Sequence, residues 1–304
     1  MLWEHGRMLQ RTDDKVSKIF KNLVDLPSLP AAIQKLVQLS EKESSPREFA
    51  ELIAADQGLT AKVLRLVNSA FYSLRAPISS LYHASTLLGT RTLKSMVLSV
   101  SVMNLISQAS SSVNPKLFWK HALAVAVASK KLGRFLLPAL EEDLYVAGLL
   151  HDTGVALLAQ HIPADYPLVL KIARMPGRSL VNVEEEVLGI SHAELGCMLA
   201  VRWRLPQVVC DCIRHHERSE DLTLPAGEDV GRAVDLVRLA DEWAIWCDLD
   251  FFEHCEEGRV RPVLPAWVTV DISEIERVLA ALKTDVEHRE EAFFAKKEKE
   301  SIPG

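Results

Sequence analysis

Seven side chains limit what this chain can fold into: His121, His151, Asp152, His192, His215, His216 and Asp241. They lie in apolar segments that read as helix, spaced roughly one helix and loop apart. Burying a carboxylate requires a paired charge or hydrogen bonds. Imidazole and carboxylate are also the ligands that borderline and hard divalent metals take. Bundles that aim one or two such ligands inward from successive helices build two-metal sites. A fold that satisfies all seven together brings consecutive helices onto one centre. The strongest element is the doublet in Gly148-Leu149-Leu150-His151-Asp152-Thr153-Gly154. Neighbours on a helix diverge by about 100°, so both reach one site only where the helix runs past it.

Simpler partners exist for each residue taken singly. A core histidine such as His121 needs only one hydrogen-bond partner. Asp152 has the alternatives of capping a neighbouring helix or pairing with Arg202. One of His215 and His216 suits a helix C-terminus as a cation. Asp241 is harder to place this way, because Leu239-Ala240-Asp241-Glu242-Trp243-Ala244 is otherwise an apolar face.

Helix signals run through the rest of the chain. Ser45-Pro46-Arg47-Glu48 is a capping box with proline at the first helical position. Asn114-Pro115 opens a long helix through Trp119, His121 and Val125. Ser191-His192-Ala193-Glu194 is a second box, which puts His192 in a first turn, where the helix dipole favours neutral imidazole. Leu59, Val63, Leu66, Val67 and Ala70 form one helical stripe, and Leu93, Met96, Val97, Val100 and Met103 another. The one strand candidate is Val268-Thr269-Val270. The spacing predicts an all-α protein. Ser110-Ser111-Ser112 marks a joint between a helical unit at 15–110 and the ligand-bearing unit at 111–250, with an extension and charged tail at 251–304.

Composition narrows the function classes. A net charge of -6 argues against nucleic acid as the main partner. No apolar run has membrane-spanning length, the most apolar being Ala122 to Ala128. Five scattered cysteines, Cys197, Cys210, Cys212, Cys247 and Cys255, form no Cys-x-x-Cys pair and imply reduced thiols in a cytoplasm. Cys210 and Cys212 sit on diverging helix faces and read as packing residues.

The motifs resemble a known family. Leu26-Pro27-Ser28-Leu29-Pro30, Asp56-Gln57-Gly58-Leu59-Thr60 through Asn68-Ser69-Ala70-Phe71, Leu88-Gly89, Gly148-Leu149-Leu150-His151-Asp152, His192-Ala193-Glu194-Leu195-Gly196 and Trp203-Arg204-Leu205-Pro206 together resemble the HDOD domain over about residues 15–250. HDOD domains look like non-catalytic relatives of the HD metal phosphohydrolases. The resemblance implies an HD-like helical bundle with an N-terminal helical sub-domain. It also implies a regulatory role in bacterial signalling through a protein partner or a nucleotide ligand. His121, His151, Asp152 and Asp241 are similar to the HD ligand set. His192, His215 and His216 are similar to the additional ligands of the HD-GYP branch.

Nitrogen and oxygen donors without thiolate fit iron, manganese, zinc, nickel or magnesium, and four or five imidazoles lean toward the transition metals. Asp152, with two oxygens, is the natural bridge between two ions about 3.5–4 Å apart, a pair suited to phosphoester cleavage. The sequence departs from the catalytic pattern. Val155 stands where HD-GYP proteins carry a phosphate-binding lysine. The Gly-Tyr-Pro signature is missing after His215-His216-Glu217, and Leu117 replaces an acidic residue that would serve a third ion. Lys120, Lys171, Arg174, Arg202 and Arg214 are the candidate substitutes for the phosphate contact. The regulatory reading therefore stands first and a metal-dependent phosphohydrolase second.

Overall fold

Helix α6 (Pro115–Leu136) organises the molecule, because it is apolar on nearly every face and a helix of that kind has to be enclosed. Phe118, Trp119, Leu123, Val125, Val127 and Leu132 are all buried along it. The computed structural model describes residues 27–39, 45–69, 72, 74, 76–107, 112–217, 228–251 and 261–294. Expectations on residues 1–26, Ala70, Phe71, Ser110, Ser111, 218–227, Cys255 and the charged tail lie outside the described residues.

Among the described residues, five helices precede α6: α1 (Ala31–Gln38), α2 (Pro46–Ala54), α3 (Gln57–Val67), α4 (Leu81–Leu88) and α5 (Thr90–Ile106). After α6 come α7 (Glu141–Leu150), α8 (Thr153–His161), α9 (Tyr166–Ala173), α10 (Leu180–Leu188), α11 (His192–Arg202), α12 (Gln207–His215) and α13 (Glu228–Trp246). Helices α14 (Ile272–Leu279) and α15 (Leu282–Phe294) close the described chain. No strand occurs among the described residues. Val268-Thr269-Val270 is irregular, with the Val268 N–H turned back to the Pro265 carbonyl.

The capping signals act as read at two sites. Ser45 and Glu48 exchange the reciprocal bonds of a capping box, and Asn114 accepts from the Lys116 and Leu117 amides at the start of α6. Ser191 makes half of the expected box, accepting from the Glu194 amide at 3.4 Å. Asn68 explains its place in the N-terminal motif. Its side chain bonds the Ile78 carbonyl at 2.7 Å and the Ile78 amide at 2.6 Å, so it ties the end of α3 to the approach to α4.

Around α6 pack α7, α13 and α15, while α5 packs on α7 and α8. Long-range hydrogen bonds join the front of the chain to the rest. The Trp203 indole donates to the Pro27 carbonyl at 2.8 Å. The buried Arg289 guanidinium of α15 donates to the hydroxyls of Tyr145 (2.8 Å) and Tyr72 (3.1 Å). Beside it, Glu142 accepts from Lys130, Ser95 and Thr92. Leu29 is core, Leu74 packs against the core and Tyr72 is a hydrogen-bond partner.

Candidate metal centre

The His151-Asp152 doublet does not lie along one continuous helix. It forms the corner between α7 and α8, with Asp152 at φ -101°, ψ 6°. That break, not a helix running past the site, lets two neighbouring side chains face the same interior. The Thr153 hydroxyl donates to the Leu150 carbonyl at 2.8 Å, and the Val155 amide bonds the Asp152 carbonyl at 2.8 Å, fixing the corner. Asp152 makes no side-chain capping bond, and the imidazoles take the place of the other sequence alternative, Arg202, which is exposed. Arg202 also lies ten residues beyond His192, about 15 Å along α11.

Two groups of donors meet at Asp152. In the first, His121 Nε2 lies 3.2 Å from His151 Nε2 and 3.2 Å from Asp241 Oδ1, with His151 Nε2 3.8 Å from Asp241. Asp152 Oδ2 stands 3.1 Å from His151 Nε2 and 3.6 Å from His121 Nε2. In the second, Asp152 Oδ1 lies 3.2 Å from His192 Nε2 and 3.3 Å from His216 Nε2, and Glu217 Oε1 lies 3.4 Å from His192 Nε2. One carboxylate thus gives one oxygen to each group. A tetrahedral ion with ~2.1 Å bonds has ligand edges of about 3.4 Å, the range seen in both groups.

Each imidazole is aimed from behind. Nδ1–H of His121 donates to the Leu249 carbonyl (2.9 Å), that of His151 to Gly148 (2.8 Å) and that of His216 to Ile213 (2.8 Å). Nδ1–H of His192 donates to Glu184 Oε2 at 2.7 Å, and the same oxygen accepts the His192 amide at 2.6 Å. Tyr166 donates to the other Glu184 oxygen at 2.6 Å. With Nδ1 committed in all four rings, Nε2 faces inward, which is how backbone and carboxylate partners orient metal-ligating histidines. His192 Nε2, His216 Nε2 and Asp241 Oδ1 are buried with no hydrogen-bond partner. Buried polar atoms converging without partners are costly unless a proton or a metal cation lies between them. The donor set therefore fits two divalent ions. As an expected outcome, Glu184→Ala weakens the second ion about 10–100-fold and leaves the first nearly unchanged. Competition with a fluorescent chelator measures this.

The charges have a definite pH signature. Burial alone depresses the imidazole pKa values, but Asp152 and Asp241 raise His121 well above its ordinary value. Glu184 and Asp152 do the same for His192, and Asp152 raises His216. The helix-terminus effect that favours neutral His192 is thus outweighed by carboxylates. Burial pushes Asp152 and Asp241 up, yet the surrounding imidazoles hold both below the usual range. In chelator-treated protein the raised histidines stabilise fully below their ordinary value of 6.5, and this is lost as pH rises through their folded values. The lowered carboxylates stabilise above 3.8 and lose this as pH falls through their folded values. The chelated protein is expected to be most stable between these limits and to weaken above pH 6.5. The metal-loaded protein instead weakens on acidification, because protons and metal compete for the same nitrogens. Urea midpoints against pH for both forms check the crossing.

Glu217 and Glu184 belong to the centre and were not singled out by sequence. His215 is half-buried and lies outside both groups. Of the five phosphate-contact candidates, Arg214 shares a cavity with Glu217. Lys171, Arg174 and Arg202 are exposed, and Lys120 is half-buried beside His121. Val155 is fully buried in the apolar core.

An all-α bundle that turns four imidazoles and three carboxylates onto two adjoining points defines a helical protein with a candidate two-ion centre. The chain belongs to the HDOD domain family, whose profile matches residues 26–219, more than half of its length. An HDOD domain protein of unknown function from Geobacter sulfurreducens is 26% identical, with a TM-score of 0.74 over 94% of this chain and 99% of that one. A Shewanella amazonensis protein named as a proposed phosphohydrolase is 23% identical, with a TM-score of 0.73 over 91% and 98% of the two chains, and shares the fold. An uncharacterized protein of Treponema pallidum is 27% identical over 216 residues, 68% of this chain. The chain spans 40% of that relative's length.

Proposed function

We propose that this chain is a regulatory module of bacterial signal transduction that holds two divalent transition-metal ions, iron, manganese, zinc or nickel, and acts through a nucleotide ligand or a protein partner. The observation that carries the reading is the shared Asp152, one oxygen in each of two compact donor groups. His121, His151 and Asp241 hold the first ion, and His192, His216 and Glu217 the second. When bound, such a pair supplies Lewis-acid contacts to phosphate oxygens. The Nδ1–H bonds keep the four imidazoles oriented, and Glu184 anchors His192 to the start of α11.

Two features favour binding over turnover. Each group offers four protein donors, as closed sites do, where catalytic sites keep a position free. Val155, buried in the apolar core, stands where the HD-GYP proteins that the motifs resemble carry a lysine. The division into 15–110, 111–250 and 251–304 is part of the proposal. It is supported by the packing of α2 on α4 and of α3 on α5, and by α15 lying against both α3 and α6. A cytoplasmic place accords with the unpaired described cysteines. No described helix is long and apolar enough to cross a membrane.

The second reading, a metal-dependent phosphohydrolase, is favoured by the completeness of the donor set. Metal-loaded protein assayed with cyclic dinucleotides and a chromogenic phosphodiester separates the two. The regulatory reading expects tight metal and no turnover above background. Turnover that disappears in Asp152→Ala establishes the enzyme.

A further inference from the structure

We infer that Glu217 is a displaceable ligand, occupying the position on the second ion that a phosphate-type oxyanion takes when the module binds its ligand. This rests on the two-ion reading above and deepens it. Glu217 differs from its companions. Its side chain is 27% exposed, against 0% for His192, 1% for His216 and 10% for Asp152. It follows the α12 cap residue His216 and so lies beyond the end of the helix. It also lines a cavity of about 550 Å³, within the usual size of ligand pockets.

That cavity is built for exchange of one anion for another. Ser191, Ala193 and Glu194 bring the first turn of α11 to its wall, and Arg214 lines the same cavity as Glu217. Arg214 pairs with Glu194 at 3.0 Å through Nη2, while its Nε is buried without a hydrogen-bond partner. Glu185 and Glu194 make the cavity acidic while Glu217 remains in place, which disfavours anions. Moving Glu217 off the ion removes one negative charge and uncovers a divalent cation next to a guanidinium and a helix N-terminus, all of which favour a phosphate group. A carboxylate of this chain thus competes with the phosphate of the ligand for one position.

The test uses full-length protein saturated with cobalt(II), read by its visible spectrum and by calorimetry with inorganic phosphate and, separately, adenosine monophosphate. If the closed form is populated at about 90–99%, apparent affinity is reduced ten- to a hundredfold, and Glu217→Ala restores it. Adding Arg214→Met to Glu217→Ala is expected to lose at least about tenfold of the gain. Tightening toward both probes marks a phosphate site. Tightening greater for the nucleotide shows that the cavity also reads the nucleoside. Equal phosphate affinity in parent and Glu217→Ala, with both ions present, overturns the proposal. So does loss of the second ion in Glu217→Ala, which makes Glu217 an indispensable ligand. A parent protein that binds no cobalt overturns the two-ion reading itself, a result distinguishable from either.

Discussion

Asp152→Ala is expected to cost the protein both ions, whereas His192→Ala costs the second and Asp241→Ala weakens the first. Among the described residues, the Asp152 side chain lies within 3.6 Å of donors from both groups. Two divalent cations about 4 Å apart repel by on the order of 15 kcal/mol at an effective dielectric of 20. A carboxylate between them offsets much of this, and no neighbouring residue replaces it. The substitution also strips the imidazoles of their common anion. Removing one partner of a buried charged network costs about 3–5 kcal/mol, so the chelated variant should unfold at lower urea as well. Elemental analysis after dialysis, beside the two single-group variants, checks the order. Full occupancy in Asp152→Ala rules out the bridge.

Gly154→Ala should be the most damaging glycine-to-alanine change among the described residues. A Cβ built on Gly154 meets the His192 carbonyl oxygen in a hard clash and lies 2.6 Å and 2.7 Å from the His192 carbonyl carbon and Cα. These are backbone atoms, so no side-chain rotation relieves the contact. Helices α8 and α11 must separate, at a cost of about 3 kcal/mol or more, the upper end of ordinary overpacking. The shift falls on the residue whose ring faces Asp152 at 3.2 Å, so the second donor group opens too. Gly231→Ala is the internal control. Its added Cβ meets nothing within 4 Å on helix α13, and it should stabilise by about 0.4–1 kcal/mol. Urea denaturation of both variants, with metal content, separates the outcomes. A Gly154→Ala protein of parental stability contradicts the close approach of α8 and α11.

What could be read from sequence followed local rules. The helix starts at Ser45 and Asn114 depend on side chains two or three residues from the amides they cap, and those signals are local. The all-α class follows from such caps and from stripes such as Leu59, Val63, Leu66 and Val67. The corner at His151-Asp152 is less legible, because the apolar run on both sides continues as one helical pattern. Glu184 sits in Glu184-Glu185-Glu186, which reads as a solvated charge run. Only the packing of α10 against α9 and α11 buries the first of the three against Tyr166 and His192. Its spacing of eight residues before His192 was the one available signal. Glu217 was hidden by its neighbours: an imidazole pair draws attention to both rings, yet the end of α12 turns His216 and Glu217 inward and leaves His215 aside. In the metal-free protein the helix dipole at His192 is outweighed, because Glu184, Asp152 and Glu217 together raise its pKa, a balance that no local rule shows.

The central claim is that the paired donor groups hold two transition-metal ions, and metal stoichiometry tests it most directly. Protein purified without chelator, then reconstituted with manganese, iron or zinc and freed of excess, is predicted to retain about two ions per chain, as Asp152-bridged sites do. Binding should release protons from His121, His192 and His216, seen as a buffer-dependent heat. Protein that retains no transition metal after reconstitution, with its imidazoles titrating alike in the presence and absence of added metal, contradicts the account.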